Sequence, residues 1–151
     1  MGNRAELLFT DEKVTYGRKV YCPSVYLHWN GGFESVDNFL RYCRIKGVRD
    51  DSYGVARFCQ IVGNFFGETL SIGSSLVRLD DVENNPDKYD PGDNGIFWIE
   101  KLRVVKNYSQ GEYTTEFKPI VDIDMLKYID SRMPDPLGEE ELLKRLENES
   151  I

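Results

Sequence analysis

The sequence has few of the features that mark a membrane protein, a secreted protein or a metalloprotein. It contains no uninterrupted run of about 18 apolar residues, so it predicts no membrane-spanning helix. Its first residues do not combine positive charge with an apolar stretch, so no secretion signal is predicted. Three cysteines without a C-x-x-C spacing indicate neither a disulfide framework nor a zinc site. We therefore expect a cytoplasmic protein that holds no metal or other cofactor.

The chain also lacks the common signatures of catalysis. His28 is the only histidine, so a Ser–His or Cys–His arrangement would have to use this one side chain. No P-loop, dinucleotide-binding, G-x-S-x-G or H-E-x-x-H motif is present. These absences favour a binding protein over an enzyme.

The 151 residues are 40% hydrophobic and 13% aromatic, which suits one folded domain over residues 1–151. Hydrophobic periodicity predicts an α+β fold, in which a mixed or antiparallel sheet packs against two core helices and short C-terminal helices follow. The strands are predicted at residues 5–9, 20–29, 69–72, 75–79, 95–100, 102–107 and 113–117. The C-terminal helices are predicted at residues 122–132 and 139–148, and the second belongs to an acidic C-terminal segment at 134–151.

Two helices are predicted for the core. The first covers residues 35–46 with Ser35 as its N-cap, and its outward-facing residues are predicted to be Asn38, Arg41 and Arg44. The second covers residues 52–66 and is capped by Asp51 or Ser52. Apolar residues surround most of its circumference, which predicts a position in the middle of the core.

Two groups of polar residues suggest a ligand site. The stretch YLHWNGG places one group at the end of a strand, beside a glycine turn: His28, Trp29 and Asn30. A second group is spaced three and four residues apart on the second helix: Arg57, Gln60 and Asn64. An arginine and two amides offer donors that suit a phosphate or carboxylate, so one hypothesis is a pocket for a small ligand or nucleotide, with possible hydrolase activity. The simpler interpretation makes His28 a hydrogen-bonded sheet residue, Trp29 a core residue and the helix group a solvated edge.

Negative charge is concentrated in two places. The net charge is −7, and residues 80–93 hold six acidic side chains against Lys88, while residues 122–151 hold nine against four basic ones. Residues 80–94 are predicted to form a long acidic loop, and loops of that length are usually functional or disordered. The predicted partner-binding residues are Asp80, Asp81, Glu83, Asp87, Asp90 and Asp93. Their spacing does not match a calcium-binding loop, and the scattered basic residues predict no basic groove for nucleic acid.

Several stretches together resemble a group of small uncharacterised proteins of bacterial mobile elements and prophages: YLHWNGG, SVxxFL, RxCQ and NFFG. The resemblance covers about residues 25–100 and carries no assigned activity. It implies an accessory protein that binds a host factor. Our first hypothesis is thus a non-enzymatic inhibitor of a host defence system, which acts through its acidic surface on a basic host protein. The small-ligand pocket is the second hypothesis, and a structural or assembly role is the third.

Overall fold

A computed structural model describes residues 2–149, which form one seven-stranded sheet and five α-helices. The strands are β1 (Ala5–Phe9), β2 (Val14–Tyr16), β3 (Lys19–Leu27), β4 (Ile72–Arg78), β5 (Ile96–Glu100), β6 (Arg103–Ser109) and β7 (Glu112–Thr114). The helices are α1 (Phe33–Lys46), α2 (Ser52–Phe66), α3 (Leu79–Asn84), α4 (Ile123–Ser131) and α5 (Glu139–Asn148), with a 3-10 turn at Pro86–Lys88.

The sheet is mixed, and its strands follow the order β2-β3-β1-β5-β6-β7, with β4 paired to the other edge of β3. β1 and β5 are parallel, with Leu7 opposite Phe97. The other pairs are antiparallel. β1 and β5 lie at the centre of the sheet with both faces covered, and apart from Glu6 and Glu100 their residues are apolar and buried. The predicted α+β fold is confirmed.

The first face of the sheet carries α1, α2, α4 and α5. Its core is built from alternate residues of β1, β3 and β5 and from the apolar faces of the helices, among them Leu7, Val25, Phe97, Phe39, Phe58, Leu126 and Leu142. Aromatic rings fill much of this layer, since Phe39 contacts Phe58, Phe65 and Phe66 edge-on or tilted. These helices therefore provide the larger of two hydrophobic cores.

The first core helix differs from its prediction at its start and on one face. α1 begins at Phe33, two residues earlier than predicted, and its cap is Gly32 rather than Ser35. Asn38 and Arg41 are buried, so the prediction that they face outward was wrong, and Arg44 is half-buried. The reason is a second layer of chain over this face: the Asn38 amide donates to the carbonyls of Glu34 at 2.8 Å and Ile120 at 2.9 Å.

The second core helix has the predicted ends but a more exposed position. Asp51 accepts a hydrogen bond from the backbone N–H of Tyr53 at 3.1 Å and caps α2, which ends at Phe66. Phe58, Ile61 and Val62 are buried, but another side of the helix, formed by Tyr53, Ala56, Arg57 and Gln60, is exposed. α2 thus lies at the border of the helical layer, and its predicted place in the middle of the core was wrong.

Asp130 joins the C-terminal helices to α1. Its buried carboxylate accepts hydrogen bonds from the Tyr42 hydroxyl at 2.6 Å and from the backbone N–H groups of Leu137 at 2.8 Å and Gly138 at 2.9 Å. Burial and this hydrogen bond raise the pKa of Tyr42. One side chain therefore determines how the segment between α4 and α5 turns back on the core.

The second face of the sheet is covered by part of the acidic segment, residues 80–94. The prediction of one continuous loop there was wrong, because α3 and the 3-10 turn occupy much of it. Leu79 and Val82 are apolar, three residues apart and buried against the second face, so this short helix has a core of its own. That core contains Leu8, Cys22, Leu79, Val82, Ile96, Trp98 and Tyr108.

The strand predictions were close but differ from the structure in extent, division and number. The strands predicted at 20–29 and 113–117 end earlier than expected, at Leu27 in β3 and Thr114 in β7. Residues 69–72 and 75–79 were predicted as two strands around Gly73, whereas β4 is one strand in which Gly73 pairs with Tyr26. β2 was not predicted, and it pairs with the start of β3. The C-terminal helices agree with α4 and α5.

The two fully buried cysteines lie on opposite faces of the sheet. Burial raises the pKa of Cys22, under α3, to about 11, and that of Cys43, in α1, to about 12. Cys59 is half-buried, and burial raises its pKa as well. None of the helices within residues 2–149 combines the length and the apolar character needed to cross a bilayer.

Candidate functional site

An open groove lies where β3 ends and β4 begins, and we call it the edge groove. It has a volume of about 470 Å³ and is lined by Tyr26, His28, Trp29, Thr69, Leu70, Ser71, Ile72 and Gly73. The backbone N–H of His28 donates to the carbonyl of Ser71 at 3.1 Å, which continues the β3–β4 pairing past the end of β3. This hydrogen bond holds the two walls of the groove together.

His28 is held on three sides. Its Nδ1 is 2.8 Å from the Tyr26 hydroxyl, and its ring meets the Trp29 ring edge-on with centroids 4.9 Å apart. A Cβ at Gly2 would lie 3.0 Å from the imidazole, so the backbone there covers the ring closely. Trp29 itself is 40% exposed. The structure therefore makes His28 a hydrogen-bonded side chain and Trp29 an apolar surface rather than a core residue.

The turn after Trp29 explains the Asn-Gly sequence. Asn30 adopts a left-handed conformation with φ of 57°, and its side chain amide lies 3.4 Å from the Ser35 hydroxyl. A Cβ at Gly31 would lie 2.5 Å from the carbonyl oxygen of Asn3, so only glycine fits. Asn30 is thus used by the turn and does not line the edge groove.

Beside the edge groove, Glu6 lies on β1 opposite Tyr26 of β3 and accepts a hydrogen bond of 2.5 Å from the Ser24 hydroxyl. Burial raises the pKa of Glu6, and the hydrogen bond from Ser24 lowers it in part. Burial therefore destabilises the charged form of Glu6 more than the hydrogen bond from Ser24 stabilises it.

Two of the three residues predicted on the second helix line a different cavity. Arg57 and Gln60 border a cavity of about 210 Å³ together with Lys46, Gly47, Val48, Ile61 and Met133. The Arg57 guanidinium stacks 4.6 Å from the ring centre of Tyr53. Asn64 contacts the Met133 sulfur at 3.9 Å. The structure therefore brings Arg57, Gln60 and Asn64 to the Met133 side of α2 and leaves His28 and Trp29 in the edge groove.

The acids at the start of the acidic segment bind their own chain. Asp80 forms a bidentate pair with Arg78, with Nη2 to Oδ2 at 2.7 Å. Asp81 binds Lys88 at 2.9 Å and accepts from the amide of Asn85 and the hydroxyl of Tyr89. These hydrogen bonds lower the pKa of Asp81 to about 2.

The later acids of the segment are engaged as well. Asp87 accepts from the Tyr108 hydroxyl at 2.5 Å, which raises the pKa of that tyrosine to about 12. Asp90 accepts from the backbone of Gly92 at 2.8 Å. Asp93 binds Arg4 through the guanidinium at 2.9 Å and the backbone at 3.0 Å. Within residues 2–149, Glu83 is the one member of the predicted set that forms no hydrogen bond or ion pair.

Comparison with protein-family models, curated proteins and solved structures gave no match. The resemblance to mobile-element proteins therefore stays a prediction. The described residues contain no group of three or more His, Cys, Asp or Glu side chains placed to hold a metal ion. The functional argument rests on the geometry of the chain itself.

Sequence analysis did not predict the exposed outer edge of β4. Leu70, just before β4, is 98% exposed, and Leu76, within β4, is 59% exposed. The signal was present in the composition, because the nine residues 69–77 carry no charge and no proline in a chain that is 30% charged. A run of this kind is typical of a buried strand, and only the pairing reveals that this one is at an edge.

Proposed function

We propose that the protein is a non-enzymatic binding protein that holds an extended segment of a basic partner protein along the open edge of β4. The observation that carries the proposal is an exposed sheet edge without charge. A peptide added there would extend the sheet by one strand, a known mode of peptide recognition.

The pairing of β4 defines which backbone groups are available. β4 pairs with β3 alone among the described strands. Since the His28 N–H binds the Ser71 carbonyl, the alternation of an antiparallel ladder directs the odd-numbered residues of β4 toward β3. The N–H and C=O groups of Ile72, Ser74 and Leu76 therefore point away from the sheet. These are the groups that a partner strand would bind.

The β4 edge also lacks the usual protection. Natural edge strands carry lysines, prolines or bulges, or lie under a helix or loop, because a bare edge attracts other strands. Residues 73–76 are exposed, and no charge interrupts the chain between Glu68 and Arg78. An unprotected edge costs a protein solubility, so its retention supports a binding role.

The edge groove adds a pocket for a partner side chain. Trp29 and Leu70 present apolar surface in it, and the Ser71 hydroxyl is buried without a hydrogen-bond partner among residues 2–149. An unpaired buried hydroxyl is unfavourable, and a partner group that binds it would remove that cost. The groove therefore favours a partner with an apolar residue next to a polar one.

Charge favours a basic partner over a second copy of the chain. Each copy carries −7, so two copies repel one another, while a positively charged segment is attracted. Because five acids of the acidic segment are already ion-paired or hydrogen-bonded within the chain, we assign them long-range attraction rather than direct contact. A host protein of the defence class that the resemblance implies is one partner of this kind.

The small-ligand hypothesis is confined to the edge groove. A ligand there would contact His28 and Trp29, and Arg57 would take no part because it borders the cavity beside Met133. A small ligand and a partner strand would compete for the same walls, so a competition experiment distinguishes them.

The proposal is tested with peptides selected on the wild-type protein from a random display library. Ser74→Pro removes an outward N–H, and Leu76→Lys adds positive charge to the edge. Tyr16→Lys is the matched control, because Tyr16 is an exposed apolar residue of β2. We expect basic, extended peptides that bind wild type and Tyr16→Lys equally and the two edge variants at least about tenfold more weakly.

Amide hydrogen exchange supplies the second readout, since bound peptide should protect the N–H groups of Ser74 and Leu76. Equal peptide binding by all variants, or failure to select any peptide, would overturn the proposal. Concentration-dependent dimerisation that Ser74→Pro abolishes would replace the partner segment with a second copy. Selected peptides displaced by a small molecule that contacts His28 would favour the ligand hypothesis.

A further inference from the structure

Two arginines in the second half of α1 and one at the start of β6 form a cluster separate from the edge groove, and we call it the arginine cluster: Arg41, Arg44 and Arg103. These side chains converge on the carboxylate of Glu149, which follows the last residue of α5. Arg41 Nη1 lies 3.0 Å and Arg44 Nε 2.5 Å from the Glu149 oxygens, and Arg103 Nη2 lies 3.9 Å away. The chain thus places one of its own carboxylates in a basic site.

Arg41 and Arg44 of the arginine cluster are largely buried and held in place by other contacts, while the Arg103 side chain is 44% exposed. The side chains of Arg41 and Glu149 are 3% and 8% exposed, so water screens their interaction little. Arg44 also donates to the carbonyl of Leu102 at 2.6 Å, and Arg41 also binds Asp37 at 3.2 Å. Because these contacts do not involve Glu149, they would still hold both guanidinium groups if the carboxylate moved away.

One donor of the cluster has no acceptor. Arg41 Nε is buried and forms no hydrogen bond within residues 2–149. A carboxylate offers two oxygens, whereas a phosphate group offers three strong acceptor oxygens and about twice the charge at neutral pH. Arginine forks match phosphate geometry, and a phosphate therefore satisfies this set of donors better than Glu149 does.

The surroundings leave room for more than one oxyanion. A groove of about 300 Å³ opens beside the cluster and is lined by Arg44, Ile45, Arg103, Arg145, Asn148 and Glu149. Glu149 has extended backbone angles, with φ of −75° and ψ of 126°, and lies outside the helical turns of α5. α5 is anchored by the buried Leu142, so movement of Glu149 leaves the helix docked.

We propose that the arginine cluster is a binding site for the phosphate group of a small phosphate monoester, and that Glu149 occupies it as an internal substitute. The ligand would displace Glu149 and bind Arg41 and Arg44. Affinity in the wild type is reduced by competition with the tethered carboxylate, so removal of Glu149 should increase it.

The test compares Glu149→Ala and Glu149→Gln with Glu147→Ala, which removes an exposed acid from the same helix end. Inorganic phosphate and adenosine monophosphate are titrated by calorimetry at constant ionic strength, with chloride as the control anion. We expect both Glu149 variants to bind phosphate at least about tenfold more tightly than wild type, and Glu147→Ala to match wild type. Phosphate should also raise the melting temperature of the Glu149 variants.

A further substitution, Arg44→Gln in the Glu149→Ala background, should abolish this response. If Glu149→Ala folds only when phosphate is present, the proposal is supported, because the ligand replaces the missing carboxylate. Equal phosphate response in all variants, or none in the Glu149 variants, would overturn it. Tighter binding of adenosine monophosphate than of phosphate would assign the adjoining groove to the rest of the ligand.

Discussion

The two faces of the sheet are covered by different means. The first face carries four helices and encloses polar pairs away from water, such as Tyr42 with Asp130. The second face is covered in part by the six-residue helix α3 and a 3-10 turn, whose ion pairs are largely open to solvent. On the first face buried polar contacts therefore add to the larger apolar core, while on the second face a smaller apolar core holds the cover and the surface ion pairs contribute little.

The largest loss of stability is expected from Asp130→Asn on the first face. The amide would place an N–H₂ group against donors that now bind a carboxylate, so at least one buried donor loses its acceptor. We expect the free energy of unfolding to fall by about 2–3 kcal/mol. Urea unfolding measures the loss, and Asp135→Asn, an exposed residue in the neighbouring loop, serves as the neutral control. Equal unfolding midpoints for both variants would contradict the role of Asp130.

A smaller loss is expected from Val82→Ala on the second face. The side chain is fully buried, and two methyl groups are removed from the core under α3. The expected loss is about 2 kcal/mol, from the transfer of these groups and the cavity that they leave. Glu83→Ala, the exposed neighbour, should change stability by less than about 0.5 kcal/mol. If Val82→Ala had the same free energy of unfolding as wild type, the packing of α3 on the sheet would contribute little to stability.

The smallest effect is a gain, and it depends on pH. Because the pKa of Glu6 is raised in the folded state, folded wild type binds a proton more tightly than unfolded chain, and stability falls as pH rises from about 4 through the folded pKa. Glu6→Gln does not titrate, so its melting temperature should exceed that of wild type at pH 7 and approach it near pH 4. Glu100→Gln, an exposed residue of β5, should show no such trend. A wild type that is more stable than Glu6→Gln at pH 7 would contradict the raised pKa of Glu6 in the folded state.

Most of the fold could be predicted because periodicity and caps are local. Asp51 caps α2, and the strands at 5–9 and 95–100 coincide with β1 and β5 almost exactly in extent. The orientation of polar residues on α1 was not predictable, because Asn38 and Arg41 face inward only after residues distant in sequence pack over them. Burial of a polar side chain is decided by its partner, and a single helix does not reveal that partner.

The candidate sites were harder to predict for the same reason. His28 and Trp29 do line a groove, but its other wall, residues 69–73, comes from a strand that sequence reasoning divided in two. The acidic segment shows the opposite problem, because a cluster of like charges suggests a partner surface. Here Arg4, Arg78 and Lys88 take up three of those charges within the chain. Composition indicates where charge lies along the sequence, but it does not indicate what already neutralises it.

The placement of the cysteines has a practical consequence. Cys22 lies under α3 on one face and Cys43 lies in α1 on the other, and both thiols are protected by burial. A thiolate must be exposed before it reacts, so a thiol-specific reagent modifies each only when its own layer opens. Mass spectrometry of peptides labelled over time would then give a separate labelling rate for each cysteine. The two native cysteines thus report separately on how often the layer over each face of the sheet opens.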